Sequence, residues 1–277
     1  PIKWLAQSQE KKVLSLMAEK NAFYFIDKMG KDAVEKRLNI TINDTHYLPI
    51  PIDGFQYLAR KGISNKNKIK ISYVGRSVNW KINPVLKILE DIVSSGIENK
   101  VVFNVVCDDK EIFSRNIKKA YPEEKIEVVF FENFNHQKLA ELLKESDLHF
   151  AMGTAALDGA KLGIPTILID ASYEKFPKYY KYRWIFEAQN LGLGIMLGFD
   201  ERKCDGTHSL SEIIDMILSS WLNIGKKCQS YVKENYHVDG VVDKILSIRK
   251  TSELRINMFD DLLVSKYYRI LRNMGFK

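Results

Sequence analysis

With 277 residues, 45% hydrophobic and 28% charged, the chain has an ordinary globular composition and the length for one large core plus part of a second. No apolar run approaches the roughly 18 to 20 residues needed to cross a bilayer, which excludes a membrane-spanning helix. Cys107, Cys204 and Cys228 are an odd number without CxxC spacing or a neighbouring His cluster, which argues against a disulfide framework and a zinc site and for a reducing, cytoplasmic setting. The net charge of +7 favours an anionic partner: a nucleotide diphosphate, an acidic lipid surface or nucleic acid. A solvated lysine-rich surface would carry the same charge. The first residue is proline and no basic-then-apolar leader follows, so the chain is expected to be the later part of a longer protein.

In chain order, Ala22 to Ile26 reads as a short strand, Lys28 to Leu38 as a polar helix, and Thr45 to Ile50 as a second strand ending among Pro49 and Pro51. Residues 1–54 are therefore expected to end one α/β domain. Residues 55–67, with Gly62 and the polar run Ser64 to Asn67, have linker composition. From residue 68 to 236, strands and helices alternate and the strands are continuous apolar runs, the pattern of a parallel sheet covered on both faces. The strands are expected at Ile69 to Val74, Val101 to Val106, Ile126 to Phe130, Leu148 to Met152, Thr166 to Ile169 and Leu193 to Leu197. Helices are expected at Asn83 to Ser95, Lys110 to Ala120, Gln137 to Glu145, Thr154 to Leu162 and Ser209 to Ser220. Asn83 before Pro84 reads as an N-cap with proline at the first helical position, and Ser209 with Glu212 as a capping box. Residues 237–277 are expected to form a helix at Val238 to Ile248 and an amphipathic one from Phe259 to Met274. That last helix has a basic end and is expected to pack on protein, with docking on a membrane surface as the other outcome.

An open parallel sheet binds ligands at the carboxyl ends of its strands, which directs attention to the turns after Val74 and Met152. Gly75 and Arg76 follow the first strand, with Lys81 five residues on. A glycine there lets backbone amides approach an anion that the two cations neutralise, although a tight turn with solvated cations would look the same. Gly153 and Thr154 open a helix whose free amides face the same crevice. Asp158, one turn further in, can accept bonds from the hydroxyls of a ribose or simply suit the helix dipole. The ending from Gly159 to Pro165 needs small residues where helix meets strand. The run from Tyr173 to Trp184 interleaves Lys175, Lys178, Lys181 and Arg183 with aromatic residues, which suits stacking, an anionic surface, or a lid packed on the domain. There is no P-loop, GxGxxG or Ser/His/Asp arrangement.

The stretch GTAALDGAKLGIPT from Gly153 to Thr166, preceded by LAELLKESDLH from Leu139 to His149, resembles the nucleotide-sugar half of GT-B glycosyltransferases, in particular the retaining family of bacterial capsule and lipopolysaccharide transferases. YVGR from Tyr73 to Arg76, with Lys81, resembles that family's first phosphate-facing loop, and CQSYVKENY from Cys228 to Tyr236 its closing segment. The resemblance implies a Rossmann-like sheet with helices on both faces over 68–236, joined to the end of an amino-terminal domain and a helical tail. It implies that Arg76 and Lys81 face a diphosphate, that Gly153 and Thr154 contribute backbone contacts, and that Asp158 holds the ribose. The loop of Phe131, Glu132 and Asn133 would take the base. The family's usual glutamate eight positions before Asp158 is Phe150 here, so no residue is assigned to the donor sugar and none as catalytic base. The expected activity is transfer of a sugar from a nucleotide diphosphate sugar to a glycan or lipid-linked acceptor in surface polysaccharide assembly. No metal, other cofactor or nucleic acid is expected, and contact with the inner face of a membrane stays open. The alternatives are a GT-B-fold sugar-nucleotide 2-epimerase, and a nucleic-acid or membrane-binding module using the basic aromatic run and the final helix.

Overall fold

The computed structural model describes residues 7–42, 46–56, 62–63, 65, 67–121, 126–197, 206–248 and 253–259. Thr45, Cys204 and residues 260–277, most of the expected last helix, lie outside the described residues. The chain divides into two compact units, residues 1–49 with 239–277, and residues 50–238.

The first unit opens with α1 (Gln7–Glu19), for which the sequence pattern gave no expectation, because its first half is polar and lacks a cap signal. It continues through β1 (Tyr24–Phe25), α2 (Lys28–Leu38) and β2 (His46–Tyr47), and the two short strands pair in parallel around α2. Helix α2 falls where the sequence places it because both ends are specified locally. Asp27 accepts the Gly30 amide at 2.8 Å as N-cap, and Asn39 takes the left-handed conformation (φ 53°) just past the end.

The second unit is a six-stranded sheet in the order β5-β4-β3-β6-β7-β8. It is built from β3 (Ile69–Val74), α3 (Asn79–Ser94), β4 (Val101–Cys107), α4 (Lys110–Ala120), β5 (Glu127–Glu132), α5 (His136–Glu145), β6 (Leu148–Ala151), α6 (Thr154–Lys161), β7 (Thr166–Leu168), β8 (Arg183–Trp184) and α7 (Leu210–Tyr236). β3 to β7 are parallel, and β8 is antiparallel to β7. All seven residues of β4 are buried, as a strand covered on both faces requires. The chain winds outward from β3 to β5 and then crosses back to lay β6 on the other side of β3. Right-handed crossovers therefore put α3 and α4 on one face and α5 and α6 on the other. Fully buried Phe103, Phe113, Phe150, Tyr182 and Trp184 fill the space between, each contributing about 1.5 to 3 kcal/mol by burial.

Three expectations are corrected. Helix α3 begins at Asn79, not after Asn83, and Pro84 lies inside it. Pro84 has no N–H for the Trp80 carbonyl, and the Ser172 amide takes that carbonyl at 3.1 Å while Asn83 Nδ2 donates to the Ser172 carbonyl at 2.9 Å. Leu193 to Leu197 forms no named strand and keeps a single parallel bridge, Ala171 with Met196, where Gly192 and Gly194 interrupt the run. Helix α7 runs through Ser220, where the sequence pattern ended it. Ser220 is a kink (φ −141°, ψ 30°), and the Ser209/Glu212 capping box starts the helix as expected. At Gly225 an added Cβ would lie 2.1 Å from the Gly163 carbonyl oxygen, so α7 rests directly on the α6–β7 turn; Gly159 serves packing as expected, whereas Gly163 takes a left-handed φ of 74° with no close contact at its Cβ position. Helix α8 (Val238–Ile248) follows, which from Asp239 on belongs to the first unit, and then a 3-10 turn at Ile256–Phe259.

Candidate nucleotide site

The strand order reverses between β3 and β6, so the crevice at their carboxyl ends is the topological switch point where open α/β sheets bind ligands. Tyr73 lies opposite Phe150, and the same register carried two residues further sets Gly75 level with Met152. The two glycine turns singled out in the sequence thus flank one crevice.

On the β3 side, the Gly75 amide donates to the Val106 carbonyl at 3.0 Å and is not available to an anion. Gly75 is glycine because a Cβ there would lie 2.7 Å from the buried Tyr73 ring, a role the sequence reading did not give it. The next amide, that of Arg76, has no backbone partner among the described residues. The Ser77 amide is bound by Asp108 Oδ1 at 2.5 Å, and the Ser77 hydroxyl exchanges bonds with the backbone of Asp109 at 2.7 and 3.0 Å. These bonds stitch the β3 turn to the end of β4. Arg76 is exposed and Lys81 half-buried, with its ammonium 5.2 Å from the centre of the Trp80 ring. Neither cation has a carboxylate within 4 Å among the described residues. Burial and then the charge of Arg76 hold the Lys81 pKa below its ordinary value, with Asp108 pulling weakly the other way. Asp108 acts on both cations through space without an ion pair among the described residues, and an anion in the crevice would be drawn to the two.

On the β6 side, Gly153 adopts φ 61° and ψ −145°, a conformation reserved for glycine, with open space where a Cβ would point. Its amide donates to the Leu193 carbonyl at 2.7 Å, while the amides of Thr154 and Ala155, the first two of α6, have no backbone partner among the described residues. Beneath this turn His149 is fully buried. Its Nε2 lies 3.1 Å from the Ala155 carbonyl and its Nδ1 3.0 Å from Ser72 Oγ, and Gly159 leaves room for the ring. Burial pushes the His149 pKa down to about 4 against the opposing pull of the Ala155 carbonyl, the Asp158 charge and Ser72. The ring is therefore neutral, with Nε2–H donating to Ala155. Asp158 sits one turn behind Thr154, half-buried and bound to Lys161 at 2.8 Å.

The structure therefore gathers Gly75, Arg76, Lys81, Gly153 and Thr154 around the switch point, with Asp158 behind Thr154. Phe131 does not join them. It lies on β5, two strands or about 10 Å to the side, with its half-buried ring 5.2 Å from Phe134. The basic aromatic run packs on the domain through its second half and through Phe176. Phe176, Tyr180, Tyr182, Arg183 and Trp184 are buried, Lys181 is half-buried, and Tyr173, Glu174, Lys175, Pro177, Lys178 and Tyr179 are exposed. Its anchor is Asp170, fully buried, which binds Arg183 through both oxygens (2.7 and 3.1 Å), the Tyr180 hydroxyl (2.9 Å) and the Ile195 amide (2.9 Å). Sequence reasoning missed Asp170 and the Ser77, Asp108 and Asp109 group. All of them lie within three residues of the carboxyl ends of β3, β4 or β7, and that place was the available signal.

No family model and no curated protein matches this sequence. Solved structures do match. TarM of S. aureus, in complex with UDP, fondaparinux and α-GlcNAc-glycerol, superposes with a TM-score of 0.51 at 13% identity over 87% of this chain. HepE of Anabaena, in complex with UDP and glucose, gives 0.54 at 12% identity over 91% of this chain and 69% of its own. A UDP-forming trehalose-phosphate synthase from Burkholderia xenovorans gives 0.52 at 12% over 82% of this chain and 61% of its own. The mostly parallel sheet flanked by helices matches the GT-B fold of these structures, and the likeness is one of fold. The chain spans about half the length of TarM, 46%. At these identities the likeness concerns the GT-B fold, and the chemistry has to be argued from this chain's own residues. Among the described residues, no helix is long and apolar enough to cross a membrane, and no group of three or more His, Cys, Asp or Glu residues could hold a metal ion.

Proposed function

We propose that this chain binds a nucleoside diphosphate sugar and acts in a glycosyltransferase that passes the sugar to a glycan or lipid-linked acceptor in bacterial surface polysaccharide assembly. The observation that carries the reading is the meeting, at one switch point, of the cations Arg76 and Lys81 with the amides of Thr154 and Ala155, none of which has an ion pair or backbone partner among the described residues. As the glycosidic bond breaks, charge accumulates on the departing diphosphate. The two cations and the positive end of α6 stabilise that charge where it develops, without requiring a metal. Asp158 lies where it can exchange Lys161 for ribose hydroxyls, and Phe131 with Phe134 at the end of β5 can flank a base. UDP in the TarM and HepE structures supports the class of ligand. Retaining stereochemistry and the capsule or lipopolysaccharide setting come from the motif resemblance from Gly153 to Thr166.

The test is calorimetric titration with UDP, GDP, ADP and CDP beside the matching nucleosides and a single-stranded oligonucleotide. At least one diphosphate is expected to bind tenfold or more tighter than its nucleoside, and Arg76→Ala or Lys81→Ala should remove most of that difference. A chain that binds the oligonucleotide and treats diphosphate and nucleoside alike is not a nucleotide-sugar enzyme.

A further inference from the structure

Tyr73 opens the YVGR stretch, yet no role in the site has been given to its side chain. Its side chain is fully buried, its ring fills the space that Gly75 leaves and meets Phe113 edge-on at 6.3 Å, and its hydroxyl donates to the Lys81 carbonyl at 2.9 Å. That bond spans eight residues and ties Lys81 back to β3, while the Ser77 bonds to Asp108 and Asp109 hold the middle of the segment. The start of α3 is also held from the side of β7, through the Ser172 amide on Trp80 and Asn83 on Ser172. Burial and then the charge of Arg76 lower the Lys81 pKa, Asp108 acts the other way, and neither cation has an ion pair among the described residues. The Tyr73 bond fixes the backbone from which Lys81 projects.

We propose that Tyr73 is a positioning residue for anion binding: its hydroxyl, latched to the Lys81 carbonyl, holds the start of α3 against the Gly75 turn so that Arg76 and Lys81 converge on one anionic group. The inference rests on the diphosphate reading of this crevice and adds the part that keeps its cations together.

Tyr73→Phe removes the hydroxyl and keeps the ring. Titrated with UDP, GDP, ADP and CDP and their nucleosides, the variant is expected to keep nucleoside affinity within about twofold. It should lose about five- to tenfold for the diphosphate, the scale of one hydrogen bond that orders a charged site. An unchanged diphosphate preference, or equal losses for both ligand classes, overturns the latch, because general loosening of the domain would weaken both alike. A wild-type protein with no diphosphate preference would instead overturn the reading of the crevice and the latch with it. Gly75→Ala reaches the hydroxyl by another route, because its Cβ would sit 2.7 Å from the Tyr73 ring and hydroxyl oxygen. It is expected to show the same selective loss, and an undiminished diphosphate preference in Gly75→Ala would count against the latch even if Tyr73→Phe fails to fold.

Discussion

Replacing Asp170 by alanine is expected to cost this domain a large share of its stability, and the size of the loss follows from what the carboxylate holds. Asp170 is fully buried and Arg183 nearly so, with side-chain exposures of 0% and 6%. Breaking a buried ion pair by removing one member typically costs about 3 to 5 kcal/mol, because the remaining charge has little water to turn to. The Ile195 amide and the Tyr180 hydroxyl lose their acceptor as well, so the upper part of that range, about 4 to 5 kcal/mol, is expected. Against a total of about 5 to 15 kcal/mol for a typical domain, the variant would be marginal at 37 °C. Urea unfolding followed by tryptophan fluorescence reports it through Trp184 and Trp221, both buried in this core. With a slope of about 2 kcal/mol per molar urea, the midpoint should fall by about 2 M. Replacing the pair together, Asp170→Leu with Arg183→Met, should recover much of the loss, since no lone charge then stays buried. A loss below about 1 kcal/mol for Asp170→Ala would refute the view that this carboxylate anchors the aromatic run.

Other consequences are as direct. Gly159→Ala would put a Cβ 2.4 Å from His149 Cδ2 and 3.0 Å from Thr166 Oγ1, so a loss of about 2 to 3 kcal/mol is expected in thermal melts, and a neutral substitution would contradict the packing described. His149 is held near pKa 4, below its ordinary 6.5, so the folded state takes up its proton less readily than the unfolded state. The associated stability is complete above about pH 6.5 and drains as pH falls toward 4, by about 3 kcal/mol in total. Urea midpoints measured across that window should show the slope in wild type and lose it in His149→Gln. Asp158→Ala is expected to weaken nucleoside diphosphate binding by about 1 to 3 kcal/mol, whereas Lys161→Met, which frees the same carboxylate, should not. Unchanged affinity in Asp158→Ala by calorimetry would take Asp158 out of the site.

Much of the fold was legible because its signals are local. Lys28 to Leu38, Lys110 to Ala120 and Val238 to Ile248 form helices with the bounds their periodicity and caps indicate, and the buried runs at Ile69 to Val74 and Val101 to Val106 form adjacent parallel strands. The errors fall where a distant residue decides. Asn83 and Pro84 look like a helix start because nothing near them reveals that Ser172 will take the Trp80 carbonyl that proline strands. Gly75 looks like an anion-loop glycine, and only the structure shows the Tyr73 ring against it and the Val106 carbonyl on its amide. Arg76, Lys81, Gly153 and Thr154 stand out from glycine turns at strand carboxyl ends together with the motif resemblance, and the strand order that sets the two turns side by side is a property of the fold alone. The partners that organise them, Tyr73, Asp108 and His149, are ordinary residue types in unremarkable sequence surroundings.

Binding of a diphosphate at the crevice between β3 and β6 is decided by a crystal structure of the protein with UDP. Phosphate oxygens are expected within hydrogen-bond distance of the Thr154 and Ala155 amides, with the Arg76 and Lys81 side chains closing on the same oxygens and the Tyr73 to Lys81 bond intact. UDP bound elsewhere on the sheet, with Arg76 and Lys81 turned to solvent, would contradict it.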